Sequence, residues 1–244
     1  MTALAKLLVI ETKLFLREPL AWLTTLLLPS VILVVLGLIP GLRAPSADFG
    51  GQRFIDMFAP SLVVLTLATL GVNILPTQLT SYRERGVLRR LSTTPADPRA
   101  LLVALLLIAL AVAVCAVVLL IAIGHLAFDV PLPRRPLAFI ATFLLGAAAL
   151  FALGLLIASV APSARSASAL ITVMVLLVMF FGGVYVPRIF LPELVQQIGA
   201  YTPPGVPALF DAWMGVAPQP GQLAALAATA LAAGGVAARL FRWE

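Results

Sequence analysis

Long apolar runs alternate with short polar stretches along nearly the whole chain. Six of the runs hold about 20 residues each, the length that a helix needs to cross a membrane. Proline, glycine and charged residues fill the stretches between them, as in "PGLRAPSADFGGQRF" after the first run. The pattern therefore predicts an all-α polytopic membrane protein. Its six transmembrane helices are expected at residues 20–39, 55–79, 98–123, 137–160, 168–186 and 222–240.

The first 19 residues show a different pattern, in which charged side chains recur among apolar ones. In "TALAKLLVIETKLFLRE", apolar residues at helical spacing oppose Lys6, Glu11 and Lys13. We expect an amphipathic helix over residues 1–19 that lies in the membrane interface. The following Glu18-Pro19 pair is typical of the start of a new helix. A cleaved signal peptide is the alternative, but the charged stretch is too extended and the next apolar run too long for one.

Composition agrees with a membrane protein, since 62% of the residues are apolar and only 11% are charged. The lipid bilayer is thus an expected partner. The formal charge of +6 comes from scattered basic residues with no aromatic-interleaved basic face, so no binding of nucleic acid is expected. The single cysteine, Cys115, rules out a disulfide within the chain and is expected to be a small packing residue.

The distribution of lysine and arginine among the loops predicts the orientation. If both termini are cytoplasmic, eleven of these residues lie on that side and five on the other. An excess of positive charge is typical of cytoplasmic loops, so both termini are predicted inside. Fourteen arginines against two lysines point weakly to a GC-rich bacterium. We therefore expect a multi-pass protein of the bacterial inner membrane.

One stretch between the second and third runs, "SYRERGVLRRLSTTPADPRA", holds five of those eleven residues and so supplies most of the excess. Within it, Glu84, Leu88 and Leu91 have the spacing of one helical stripe, and Arg85 and Arg89 that of a neighbouring stripe. A proline then stops the helix. Two interpretations stay open for this charged segment, residues 81–97. It either anchors the topology, or forms a short cytoplasmic helix that docks its apolar ridge into a groove on a soluble partner.

Residues that carry out chemistry are missing from the sequence. A phosphate-binding loop needs glycines before Gly-Lys-Ser or Gly-Lys-Thr, and neither Lys6 nor Lys13 follows a glycine. The one histidine, His125, has only Asp129 nearby, which is too little for a metal site or a catalytic triad. We therefore expect no catalytic, cofactor-binding or metal-ligating residues, and no enzymatic activity in this chain.

The predicted spans contain no ionisable residue deep in the bilayer, which argues against a proton relay or an ion-coupled carrier. Their notable polar residues have two interpretations. They line a path for an apolar or amphipathic substrate, or they form hydrogen bonds between helices. The residues considered for a substrate path are Thr66, Thr69, Asn73 and Thr172.

Two blocks of the sequence resemble a known family. "YRERGVLRRLSTTPADPRALLVALL" is similar to the "ERERGTLRRL…TP" segment of ABC-2-type permease subunits of ATP-binding-cassette exporters, which export drugs, lipids and polysaccharides. Residues 153–215 resemble the later spans of that family, including a Gly-Gly turn and a proline-rich run. One departure is Ser61 in "FAPS", where relatives often carry glycine.

The resemblance implies a permease with six spans that forms a homodimer, works by alternating access and binds two copies of an ABC ATPase, which hold ATP and magnesium. It also implies short external helices over 188–215 that partly re-enter the membrane. A secondary carrier or channel without ATP coupling, or an intramembrane enzyme, are the alternatives. The residues implied to couple to the ATPase are Arg83, Glu84, Arg85, Gly86, Leu88, Arg89 and Leu91.

Overall fold

The computed structural model describes residues 3–92 and 99–241. No β-strand occurs among these residues, which confirms the predicted all-α class. The helices are α1 (Ala3–Arg17), α2 (Pro19–Leu26), α3 (Leu28–Gly37), α4 (Pro40–Arg43), α5 (Phe54–Ala68), α6 (Leu75–Glu84), α7 (Val87–Ser92), α8 (Arg99–Phe128), α9 (Pro136–Val160), α10 (Ala164–Phe181), α11 (Glu193–Ala200), α12 (Val206–Met214) and α13 (Pro220–Leu240).

Five helical segments among the described residues are long and apolar enough to span a membrane. The first of them joins α5, a π-helical turn and α6 into one segment, which we call the second span. The others are α8, α9, α10 and α13. The chain is therefore a polytopic membrane protein, as predicted.

The run predicted as the first span is divided in the structure. A turn at Leu27 separates α2 from α3, and Pro29 in the first turn of α3 has no N–H to continue the hydrogen bonding of α2. At 10 residues, α3 alone is too short to cross a membrane. The six-span count therefore stays a prediction.

The fifth predicted span also has different limits. The helix begins at Ala164 rather than at 168, because Ser163 and Ser166 form a capping box at its start. It ends at Phe181, before Gly183 adopts a left-handed conformation with φ of 68°. The polar run "PSARS" thus belongs partly to the helix and not wholly to the loop.

The second span forms the centre of the core, since almost all of α5 is buried. Its hydrogen bonding changes at the π-helical turn Thr69–Ile74, where the Leu75 N–H bonds to the carbonyl of Leu70, five residues back. Pro76 follows directly and has no N–H of its own to donate. The second span is therefore irregular next to Pro76, and such π-helical turns are frequent at functional sites.

Two short helices, α11 and α12, lie in the predicted external segment. α12 packs against α5 and α9, and Trp213 within it is buried. Just before α12, the Pro204 carbonyl oxygen lies where a Cβ on Gly146 would come within 2.7 Å of it. Gly146 is ten residues from the start of α9, so this chain segment reaches roughly 15 Å along that span. The re-entrant arrangement of this segment stays a prediction.

Candidate coupling site

The charged segment does not continue the second span as one helix. α6 ends at Glu84, and α7 begins at Val87. Between them Gly86 has a φ of 67°, a left-handed conformation that favours glycine and ends helices. The prediction that Glu84 and Leu88 lie on one helical stripe is therefore wrong, because the helix on which that spacing depends is interrupted.

The apolar side chains of α7 also differ from the predicted ridge. Leu88 is only 1% exposed and belongs to the hydrophobic core, and Leu91 is half-buried against the same core. By contrast, Val87 is 38% exposed, and Arg89 is exposed beside it. Leu88 is thus unavailable to a partner in this structure. Val87, and not Leu88, is the apolar side chain that α7 exposes on the protein surface.

Arg83 binds the end of α9. Its guanidinium donates one hydrogen bond to the carbonyl of Ala158, at 3.0 Å, and another to the carbonyl of Ala161. The Ala158 carbonyl lacks its usual helical partner, because residue 162 is a proline without an N–H. A positive charge at the C-terminus of a helix also interacts favourably with the negative end of the helix dipole. Arg83 is therefore a cap for α9.

Glu84, the next residue, binds the start of α10. Its carboxylate accepts a hydrogen bond of 2.7 Å from the backbone N–H of Ala164, the first residue of that helix. The N–H groups in the first turn of a helix have no partner within it, and a negative charge there is stabilising. Arg83 and Glu84 together hold both sides of the short connection between α9 and α10. We call this pair the clamp.

A second set of contacts ties α1 to the second span. Tyr82 donates a hydrogen bond of 2.7 Å to the carboxylate of Glu11, and Gln78 donates to the same oxygen at 3.2 Å. Burial raises the pKa of the Glu11 carboxyl above its usual range. Sequence reasoning placed Glu11 on the polar face of α1 and missed this role. A glutamate with apolar residues three and four positions away on both sides, on an otherwise basic helix, was the available signal.

A cavity of roughly 350 Å³ lies between α1 and the second span, next to these contacts. We call it the lateral cavity. Arg85 of the charged segment lines it, so this residue faces the cavity and is not part of the clamp. The other lining residues are Leu14, Phe15, Glu18, Asn73, Ile74, Thr77, Gln78, Ser81 and Tyr82.

The four residues considered for a substrate path lie in different surroundings. The hydroxyls of Thr66, Thr69 and Thr172 each donate to the carbonyl four residues earlier in the same helix. Among the residues that the structure describes, these hydroxyls form no hydrogen bonds between helices, which were the alternative interpretation. Thr66 is fully buried, whereas Thr172 is exposed on α10. Of the four, Asn73 alone lines the lateral cavity.

Comparisons with known proteins agree with this architecture. The family model of the ABC-2 type transporter matches residues 2–205, a range that includes α1, the second span, the clamp and its partners on α9 and α10. Searches of curated proteins and of solved structures found no significant match. Because the family match covers most of the chain, the chain belongs to the ABC-2 type transporter family and is a transmembrane permease subunit of an ABC transporter.

Proposed function

We propose that this permease exports an apolar or amphipathic molecule by alternating access, driven by a separate ABC ATPase that docks at the charged segment. The clamp is the observation that carries this proposal. Arg83 and Glu84 precede α7 by only a few residues and hold the adjoining ends of α9 and α10. A force applied to α7 by a docked protein is thus transmitted directly to two further spans.

The location of the clamp explains why such a force changes the shape of the membrane domain. α6 follows the π-helical turn, where the hydrogen bonding of the second span is already irregular. The clamp connects the other end of α6 to α9 and α10. Movement of α7 therefore shifts α6 as a lever about the π-helical turn and carries the two helix ends with it. Such rigid movement of packed helices is a common switching mechanism.

The proposed orientation follows from the use of a separate ATPase subunit. An ATPase that uses cellular ATP works in the cytoplasm, so we place the charged segment and both termini on that side of a bacterial inner membrane. The excess of positive charge on this side supports the placement. The 188–215 segment and the loop that contains Arg53 then lie outside.

Two copies of the chain and two ATPases form the proposed complex. Large apolar side chains on α3 and α10 are exposed in the single chain, among them Val31, Val35, Val173 and Leu176. Exposed apolar surface on a membrane helix suits contact either with lipid or with a second permease. Together with the family assignment, this surface supports a homodimer in which each copy binds one ATPase.

The experiment isolates the permease from its native membranes and identifies an ATPase that purifies with it. ATP hydrolysis and efflux of a lipophilic dye from vesicles are then measured for the wild type and for Glu84→Ala. The variant loses the bond to Ala164 but keeps α7, so we expect normal ATPase binding and a several-fold lower efflux per ATP hydrolysed. Glu193→Ala, which changes an exposed glutamate on α11, is the matched control.

Two outcomes contradict the proposal. Dye efflux that continues without the ATPase and without ATP identifies a secondary carrier or channel. Efflux per ATP that stays at the wild-type value in Glu84→Ala shows that the clamp does not transmit the force of the ATPase.

A further inference from the structure

The lateral cavity has one apolar wall and one polar wall. Leu14, Phe15 and Ile74 supply apolar surface. The polar wall comes from the second span and the residue directly after it, where four polar residues that line the cavity recur at intervals of four. These residues are Asn73, Thr77, Ser81 and Arg85. The volume of roughly 350 Å³ lies within the range of about 300–1,000 Å³ that is typical of small-molecule sites.

This polar row is long compared with the thickness of a membrane. Asn73 and Arg85 are twelve residues apart, which corresponds to roughly 18 Å along a helix, more than half of a hydrocarbon core of about 30 Å. The side chain of Asn73 is exposed, and within the described residues its amide has no hydrogen-bond partner. A bare amide facing lipid tails is costly, so the row requires a polar occupant.

The residues that line the cavity include two opposite charges from different parts of the chain. Glu18 lies at the junction of α1 and α2, and Arg85 directly follows the second span. Both are exposed, and within the described residues neither forms an ion pair. An anion alone is repelled by Glu18, and a cation alone is repelled by Arg85. A molecule with a phosphate and an ammonium group satisfies both charges, since arginine binds phosphate through paired hydrogen bonds.

We propose that the lateral cavity binds a zwitterionic phospholipid of the phosphatidylethanolamine type. The phosphate lies against Arg85, the ammonium against Glu18, and the acyl chains against Leu14 and Phe15. The polar row provides hydrogen bonds for the glycerol ester region. This inference depends on the proposed orientation, which places the cavity in the inner leaflet, where the headgroup region meets the interfacial helix α1.

Native mass spectrometry of the purified permease, without ATPase or nucleotide, tests the site. The protein is released from nanodiscs that contain equal amounts of phosphatidylethanolamine and phosphatidylglycerol with the same acyl chains. We expect retention of phosphatidylethanolamine about tenfold above that of phosphatidylglycerol. Glu18→Gln should bring the two lipids close to equal retention. Arg85→Gln should lower the retention of both, because both lipids carry the phosphate.

Matched controls are Glu193→Gln and Arg239→Gln, which neutralise exposed charges away from the cavity and should retain lipid like the wild type. Equal retention of the two lipids by the wild type overturns the proposal, as does unchanged selectivity in Glu18→Gln. The variant Asn73→Leu shows whether the cavity holds a lipid or a second copy of the chain. Lower lipid retention supports the proposal, whereas unchanged retention with loss of a dimer overturns it.

Failure of the lipid proposal can be distinguished from failure of the proposed function. The lipid measurement needs no ATPase. The Glu84→Ala substitution, which is used in the ATPase measurement, changes no residue that lines the cavity. A permease that purifies with its ATPase and exports dye, yet shows no lipid preference, contradicts the lipid site alone.

Discussion

Gly154 of α9 packs directly against the backbone of Gly71, so that a Cβ atom on Gly154 would overlap the Gly71 carbonyl oxygen. Gly71 lies in the π-helical turn of the second span. A Cβ on Gly71 would in turn come within 2.8 Å of the Phe151 ring. The two glycines therefore allow the backbones of the two spans to touch at the point where the second span changes its hydrogen bonding. Small residues serve this purpose widely in membrane helices.

The substitution Gly154→Ala tests this contact. The added methyl group meets backbone, which cannot turn aside as a side chain can, so we expect destabilisation of about 1–3 kcal/mol. The measurement is the midpoint of thermal unfolding in detergent, followed by tryptophan fluorescence. Gly235→Ala is the matched control, because no atom lies within 4 Å of a Cβ there. An equal midpoint for the two variants contradicts the proposed close packing.

Hydropathy alone predicted the helical class and the approximate position of five spans, because crossing a membrane demands long apolar runs that are visible in composition. Hydropathy does not indicate which distant residues contact each other. The partners of Arg83 and Glu84 lie 75 to 80 residues later in the chain, and no local pattern indicates them. The error at Leu88 was avoidable, since the glycine at position 86 is itself a helix-ending signal.

Glu11 should make the docking of α1 dependent on pH. The pKa of this buried carboxyl is raised above its ordinary value of 4.5, so the docked form holds its proton to higher pH than the undocked form does. The resulting stabilisation is full below about pH 4.5 and is lost as the pH rises through the raised pKa. We therefore expect wild-type thermal stability, compared with Glu11→Gln, to fall as the pH rises above about 4.5.

The glutamine in Glu11→Gln keeps an oxygen that accepts from Tyr82 but carries no charge to desolvate. Its stability should therefore lack this pH dependence and should equal or exceed that of the wild type at neutral pH. Glu193→Gln, at an exposed carboxylate, should follow the wild type at every pH. A pH profile of Glu11→Gln that is identical to the wild-type profile argues against the buried carboxylate as its cause.

Arg83→Lys separates geometry from charge at the clamp. Lysine keeps the positive charge and hence the predicted orientation, but its single ammonium lacks the planar fork that reaches the carbonyls of both Ala158 and Ala161. We expect a loss of about 1–2 kcal/mol in thermal stability and weaker coupling of ATP hydrolysis to efflux. Arg165→Lys, at an exposed arginine early in α10, is the control. Wild-type coupling in Arg83→Lys would show that charge alone suffices.

The proposed orientation predicts opposite labelling of two exposed positions. Ala47→Cys lies in the loop before the second span, and Val87→Cys lies in the charged segment. In a background with Cys115→Ser, an impermeant thiol reagent added to intact cells should label the first variant and not the second. Permeabilised cells should show labelling of both. Labelling of Val87→Cys in intact cells reverses the orientation and removes the proposed ATPase site from the cytoplasm.

Leu88 and Val87 are adjacent in α7, yet their serine variants should fail for different reasons. Leu88→Ser removes a side chain that is 1% exposed and introduces a hydroxyl into the core, so we expect a loss of several kcal/mol in stability. Val87→Ser changes a side chain that is 38% exposed, and thermal stability should stay within about 0.5 kcal/mol of the wild type.

The affinity for the ATPase distinguishes the two interpretations of the charged segment. If α7 is a docking helix, Val87→Ser should weaken binding of the ATPase about fivefold, the loss expected for about 1 kcal/mol of buried apolar surface. The measurement is the affinity of the purified ATPase for permease in nanodiscs. Both variants keep every arginine. If the segment serves only as a topology anchor, the ATPase should therefore bind Val87→Ser with unchanged affinity. That result, obtained with a correctly inserted and stable variant, would leave the ATPase without a docking site on α7.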